Sequence, residues 1–99
     1  MKKILIINGP NLNLLGNREK KFYGDTTLDK IKILCEQHCK ENDIKCSFFQ
    51  SNHEGELIEK IHSVDSNFDG VIINPAAFTH TSIALLDALR ATSKPKIEI

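Results

Sequence analysis

The stretch from Gly70 to Asp87, GVIINPAAFTHTSIALLD, constrains the fold of this chain more than any other. Val71, Ile72 and Ile73 form a short apolar run between Asp69-Gly70 and Asn74-Pro75, which suits a strand buried on both faces. From Ser82, the residues Ile83, Leu86 and Leu89 recur at helical spacing, with Thr81 or Ser82 available as N-cap. The order is strand, loop, helix. In an open α/β sheet the loop at the carboxyl end of a strand is where ligands are held, and this loop carries Asn74, Thr79, His80 and Thr81. It reads as half of a functional site.

The rest of the chain alternates strands and helices in the same way, without an internal repeat. Lys3 to Ile7 is an aliphatic strand ended by Asn-Gly-Pro, which neither a helix nor a central strand tolerates. Residues 8 to 25 then lack periodicity, and loops of that length in small domains are usually functional or disordered. This one contains Asn8, Asn11, Asn13, Arg18, Tyr23 and Asp25, punctuated by Gly9, Gly16 and Gly24, as suits a lid over a ligand. Leu12, Leu14 and Leu15 argue against a purely solvated loop.

Thr26 to about Asn42 is expected to be an amphipathic helix, capped by Thr26 with Asp29 at N3 and carrying Leu28, Ile31, Leu34, Cys35 and Cys39 as its stripe. Ile44 to Gln50 reads as a second strand. Asn52 to His62 reads as a helix with Leu57, Ile58 and Ile61 inward and Glu54 and Glu56 in its first turn, where the helix dipole favours them. Lys96 to Ile99 is a fourth strand. Residues 1–99 thus form one α/β domain with a parallel, doubly wound sheet and right-handed crossovers. A short chain favours the order 2-1-3-4, whose switch point lies between strands 1 and 3. The polar loops after those two strands should therefore line one crevice.

Composition narrows the partners. Thirteen basic and thirteen acidic residues cancel, so a nucleic-acid partner is not expected. The apolar run after Lys2-Lys3 stops after four residues, too short for a secretory leader, which points to the cytoplasm and away from membranes. Three cysteines, an odd number, argue for reduced thiols rather than a disulfide framework. Cys35, His38 and Cys39 share one helical turn, but they lack a C-x-x-C pair and an obvious fourth ligand. Cys35 is read as a small hydrophobe, and no metal site is expected.

Familiar chemistries fall away in turn. No dinucleotide or Walker loop follows a strand, and no nucleophile elbow surrounds Ser82. A phosphoacceptor would need a carboxylate where Asn8 stands, and a flavin phosphate loop is rich in Ser and Thr, which residues 8–16 lack. What remains is Tyr23 near Arg18, several amides, and His80 between hydroxyls. A phenol with a pKa of roughly 10 works as a base at neutral pH only if a cation such as Arg18 stabilises its phenolate. Amides and ordered water support a developing oxyanion. Proton abstraction beside a carbonyl fits this set. A non-catalytic small-molecule binding module is the alternative.

The runs NGPNLNLLGNRE (8–19), YG (23–24), QSNHEGELI (50–58), INPAAFTHTSIALLDAL (73–89) and PKIEI (95–99) closely resemble the type II 3-dehydroquinate dehydratases, in register along the whole chain. The resemblance implies a flavodoxin-like fold, a homododecamer built from trimers, and no metal or organic cofactor. It implies a lyase of the shikimate pathway of aromatic amino-acid biosynthesis, dehydrating 3-dehydroquinate to 3-dehydroshikimate. By position, Tyr23 resembles the base, Arg18 the lid cation that activates it, and Asn11 the holder of a water near the enolate oxygen. Asn74 and His80 resemble substrate ligands, and Asp87 a residue supplied to a neighbouring subunit's site. Residues 50–58 are read as strand end and helix cap, more structural than catalytic. Ala76 replaces a glycine usual in the family's loop.

Beyond the position of Ile99 the family carries a proton-donating His, a substrate-binding Ser, an Arg, the fifth strand and the last helices. Glu98 resembles the carboxylate that orients that His. The sequence is expected to be either a fragment of an ordinary enzyme or a truncated, inactive remnant, and the 99 residues alone are expected to be impaired.

Overall fold

Alternating aliphatic residues divide each strand between two faces of the sheet. The computed structural model describes residues 1–16, 26–79 and 81–99. In β1 (Lys2–Asn8) Leu5 and Ile7 are fully buried, and in β3 (Gly70–Asn74) Val71 and Ile73 are nearly so. The parallel register sets Leu5 beside Val71 and Ile7 beside Ile73, so the four form one apolar block. Ile4, Ile6 and Ile72 lie on the opposite face and are only half-buried. β2 (Ile44–Gln50) pairs with β1, and β4 (Lys96–Glu98) pairs with β3. The sheet is wholly parallel with order β2-β1-β3-β4, as the sequence led us to expect.

The apolar block is covered by α2 (Glu54–His62), the short α3 (Val64–Asn67) and α4 (Ile83–Ala91), through Leu57, Ile61, Val64, Leu85 and Leu89. Each such side chain, fully buried, contributes about 1.5–3 kcal/mol relative to exposure. α1 (Leu28–Glu41) packs on β2 and buries no residue completely. No helix is long and apolar enough to cross a membrane among the described residues.

Three local expectations shift. The cap of α1 is Thr27, whose Oγ1 accepts from the Lys30 N–H at 3.2 Å, rather than Thr26. Adjacent threonines offer the same hydroxyl, and the extended backbone of Thr27 decides between them. α2 begins at Glu54 rather than Asn52: His53 has the extended backbone of an N-cap, and the Asn52 carboxamide bonds to the loop after β1. In α4 the buried residues are Leu85, Ala88 and Leu89, while Ile83 is 82% exposed and Leu86 43% exposed. The sequence IALLDALRA offers two apolar stripes, and packing against α2 selects the one that begins at Leu85. Leu34 is likewise on the outer side of α1.

Candidate active site

The loops after β1 and β3 are stitched together at the switch point, where the strand order reverses. The Gly9 N–H donates to the Asn74 carbonyl at 2.8 Å, and a Cβ on Gly9 would lie 2.4 Å from the Pro75 carbonyl oxygen. Only glycine allows that approach. Past this contact the first loop turns through Asn11, which is left-handed at φ 68°, into a 3₁₀ turn over Leu12–Leu14. The second turns as the Asn74 Oδ1 accepts from the Ala76 N–H at 3.2 Å, leading into a 3₁₀ turn over Ala76–Phe78.

Between the loops lies a crevice of about 390 Å³, with Pro10, Asn11, Leu12 and Leu15 on one wall and Asn74, Ala76 and Ala77 on the other. Apolar walls with a few convergent amides are the usual make-up of a small-molecule site. Behind it, the register aligns Gln50, Asn8 and Asn74 across three adjacent strands. Asn8 is buried, and its Nδ2 has no hydrogen-bond partner among the described residues. The row supplies neutral donors and acceptors at the carboxyl end of the sheet.

Of the residues singled out from sequence, Asn11 and Asn74 meet in this crevice. Glu98 lines a separate cleft of about 200 Å³ with Phe78, Ser82 and Leu86. Asp87 is exposed on α4 and lines neither. Arg18, Tyr23 and His80 lie outside the described residues. Among the described residues, no three His, Cys, Asp or Glu side chains are placed to hold a metal ion. The three cysteines are half-buried thiols, and burial, followed by the neighbouring Cys39 sulfur, pushes the Cys46 thiol up to about 12.

Residues 50–54, read from sequence as strand end and helix cap, also bond to both loops. The Gln50 Nε2 donates to the Gly9 carbonyl at 3.1 Å and to the Asn52 Oδ1 at 3.2 Å, and that same oxygen accepts from the Asn11 N–H at 2.9 Å. Glu54 accepts from the Ser82 hydroxyl at 2.5 Å.

The profile of the family described as Dehydroquinase class II matches residues 2–99. The chain belongs to the class II dehydroquinases. Among similar dehydroquinases, the 3-dehydroquinate dehydratase of Caldicellulosiruptor saccharolyticus is 54% identical over 100 residues, covering 100% of this chain and 69% of that protein. Catabolic 3-dehydroquinase 1 of Aspergillus fumigatus is 52% identical over 98 residues, covering 99% of this chain and 65% of that protein. The crystal structure of a type II dehydroquinase from Butyrivibrio crossotus superposes with a TM-score of 0.94 at 47% identity, covering 98% of this chain and 68% of that one. This dehydroquinase chain therefore spans about two thirds of the length of these relatives. Its four-stranded sheet in the order 2-1-3-4 is the corresponding part of their fold.

Proposed function

We propose that the crevice between the two loops takes 3-dehydroquinate and serves its dehydration to 3-dehydroshikimate, a lyase reaction begun by proton abstraction beside the ketone. The observation that carries this reading is the meeting of Asn11 and Asn74 in one crevice. Each comes from a run that resembles the family; the first, residues 8–19, includes Arg18, and the next, residues 23–24, is Tyr23-Gly24. The relatives named 3-dehydroquinate dehydratase supply the substrate.

In this reading the Tyr23 phenolate, stabilised by Arg18, removes the proton and an enolate forms. Asn11 holds a water against the enolate oxygen, whose neutral support avoids a second full charge in the site. Asn74 and His80 bind substrate hydroxyls, and Asp87 reaches the site of a neighbouring subunit in a trimer-based dodecamer. Loss of the hydroxyl needs an acid. In the family that acid is a His beyond the position of Ile99, oriented by the carboxylate corresponding to Glu98.

The two half-reactions can be measured apart. Exchange of the proton beside the ketone for solvent deuterium, followed by NMR, reads enolate formation by residues 1–99, whereas enone absorbance reads complete dehydration. Tyr23→Phe should slow exchange by about 10²- to 10⁴-fold while binding of 3-dehydroquinate changes little. Extending the chain with a family-like His-containing tail should raise dehydration far more than exchange. Near-normal exchange in Tyr23→Phe would overturn the assignment of the base.

A further inference from the structure

Residues 50–54 touch both loops of the crevice without lining it. Asn11 sits in a left-handed bend, φ 68° and ψ −4°; its own side chain makes no cap bond to the 3₁₀ turn, whose Leu14 N–H donates to the Asn11 carbonyl at 3.0 Å. The support comes from 41 residues away, where the Asn52 Oδ1 accepts the Asn11 N–H at 2.9 Å. Gln50 fixes that oxygen from behind, donating to it at 3.2 Å, and anchors the Gly9 carbonyl at 3.1 Å. On the other side, the Ser82 hydroxyl caps α4 by accepting from the Leu85 N–H at 3.0 Å and donates its proton to Glu54 at 2.5 Å. Ser82 lies two positions after His80, so Glu54 ties down the far end of the second loop.

Local capping of α2 does not account for these bonds. The N-cap, His53, makes no side-chain cap bond, and Ser51 ties the segment together just before it: its Oγ accepts from the His53 N–H at 2.9 Å and donates to Glu56 at 2.5 Å. The side chains of Asn52 and Glu54 are turned to other elements instead. Asn tolerates an αL bend better than other residues with a Cβ, so it is the bond from its N–H to Asn52, rather than the bend alone, that ties Asn11 to the end of β2.

We infer that Gln50, Asn52 and Glu54 are positioning residues, a clamp at the end of β2 that aims Asn11 into the crevice and holds the start of α4 at Ser82, where the second loop ends. The inference rests on the crevice being the reaction site. Misplacing a site group by about 1 Å can cost about 10²-fold in rate, so the clamp should act on kcat more than on KM.

The test compares Asn52→Ala, Asn52→Asp and Asn11→Ala, alone and combined, with Glu54→Gln and Glu54→Ala beside them. Asn52→Asp keeps an oxygen for the Asn11 N–H, and Glu54→Gln keeps one for Ser82. Deuterium exchange into 3-dehydroquinate, its KM and the urea midpoint are measured for each. Asn52→Ala should slow exchange at least about tenfold with KM within about threefold, and Asn52→Asp should recover most of the loss. Added to Asn11→Ala, Asn52→Ala should cost less than about threefold, because it acts through a group already removed. Glu54→Gln should likewise retain more exchange than Glu54→Ala. Equal impairment of the conservative and truncated variants, or full additivity with Asn11→Ala, would overturn the clamp. Should the unmodified chain show neither exchange nor binding, the functional reading fails and the clamp is decided by the Asn11 amide. Protection of that amide in the unmodified chain and Asn52→Asp, lost in Asn52→Ala, supports it; equal protection in all three overturns it.

Discussion

Ala76 holds a φ of 53°, a left-handed backbone angle that costs an L-residue with a Cβ roughly 1–2 kcal/mol. Its N–H is held by the Asn74 Oδ1, so the strain lies in the turn that forms one wall of the crevice. Ala76→Gly should raise stability by about 1 kcal/mol, net of the added freedom of the unfolded chain, and Tm by about 4–8 °C. A lower Tm in thermal unfolding would contradict this account of the turn. The glycine usual in the family at this position had marked it in the sequence as a departure, but not its direction in energy. Residue type was legible, and backbone angle was not. The same holds for Asn11: its place in NGPN pointed to the site, whereas its left-handed bend and its bond to Asn52 depend on a residue 41 positions away.

At the scale of elements, the strands were the most legible part, because a short β-rich apolar run ended by Asn-Gly-Pro or Asn-Pro has few other readings. Helix faces were less so. α4 is apolar on more than one side, and only the fixed position of Leu57 and Ile61 selects Leu85, Ala88 and Leu89 for the core. On the other face of the sheet, Cys46 of β2 sits beside Cys39 of α1, a contact that spacing along either element could not reveal. Burial first, then the Cys39 sulfur, raises Cys46 to about 12 from 9.0. The folded chain therefore keeps a proton that the unfolded chain releases, and the stabilisation is present below about pH 9 and is lost as pH rises towards 12. In urea unfolding between pH 8 and pH 10.5, Cys46→Ala should be less stable at pH 8 and fall less steeply above pH 9. Parallel pH curves for the two proteins would rule this out.

For the whole molecule, topology and loop chemistry independently pointed to one crevice: the order 2-1-3-4 put the switch point between β1 and β3, and the polar residues clustered in the loops after those strands. That much of the candidate site could be read from sequence. The contribution of residues 50–54 could not, because a strand end and helix start in one run look structural until their bonds to Gly9, Asn11 and Ser82 are seen. Under the proposed function, 3-dehydroquinate enters this crevice and no other surface. Titrating the ¹⁵N-labelled chain with 3-dehydroquinate to about 10 mM, above the usual KM range, tests it most directly. The amide resonances of Asn11, Leu12, Asn74 and Ala76 should shift in a saturable way, while those of Lys3 and Asp69, paired at the opposite end of the sheet, should stay in place. Shifts concentrated at Lys3 and Asp69, or no saturable shift at the four crevice residues, would contradict the account.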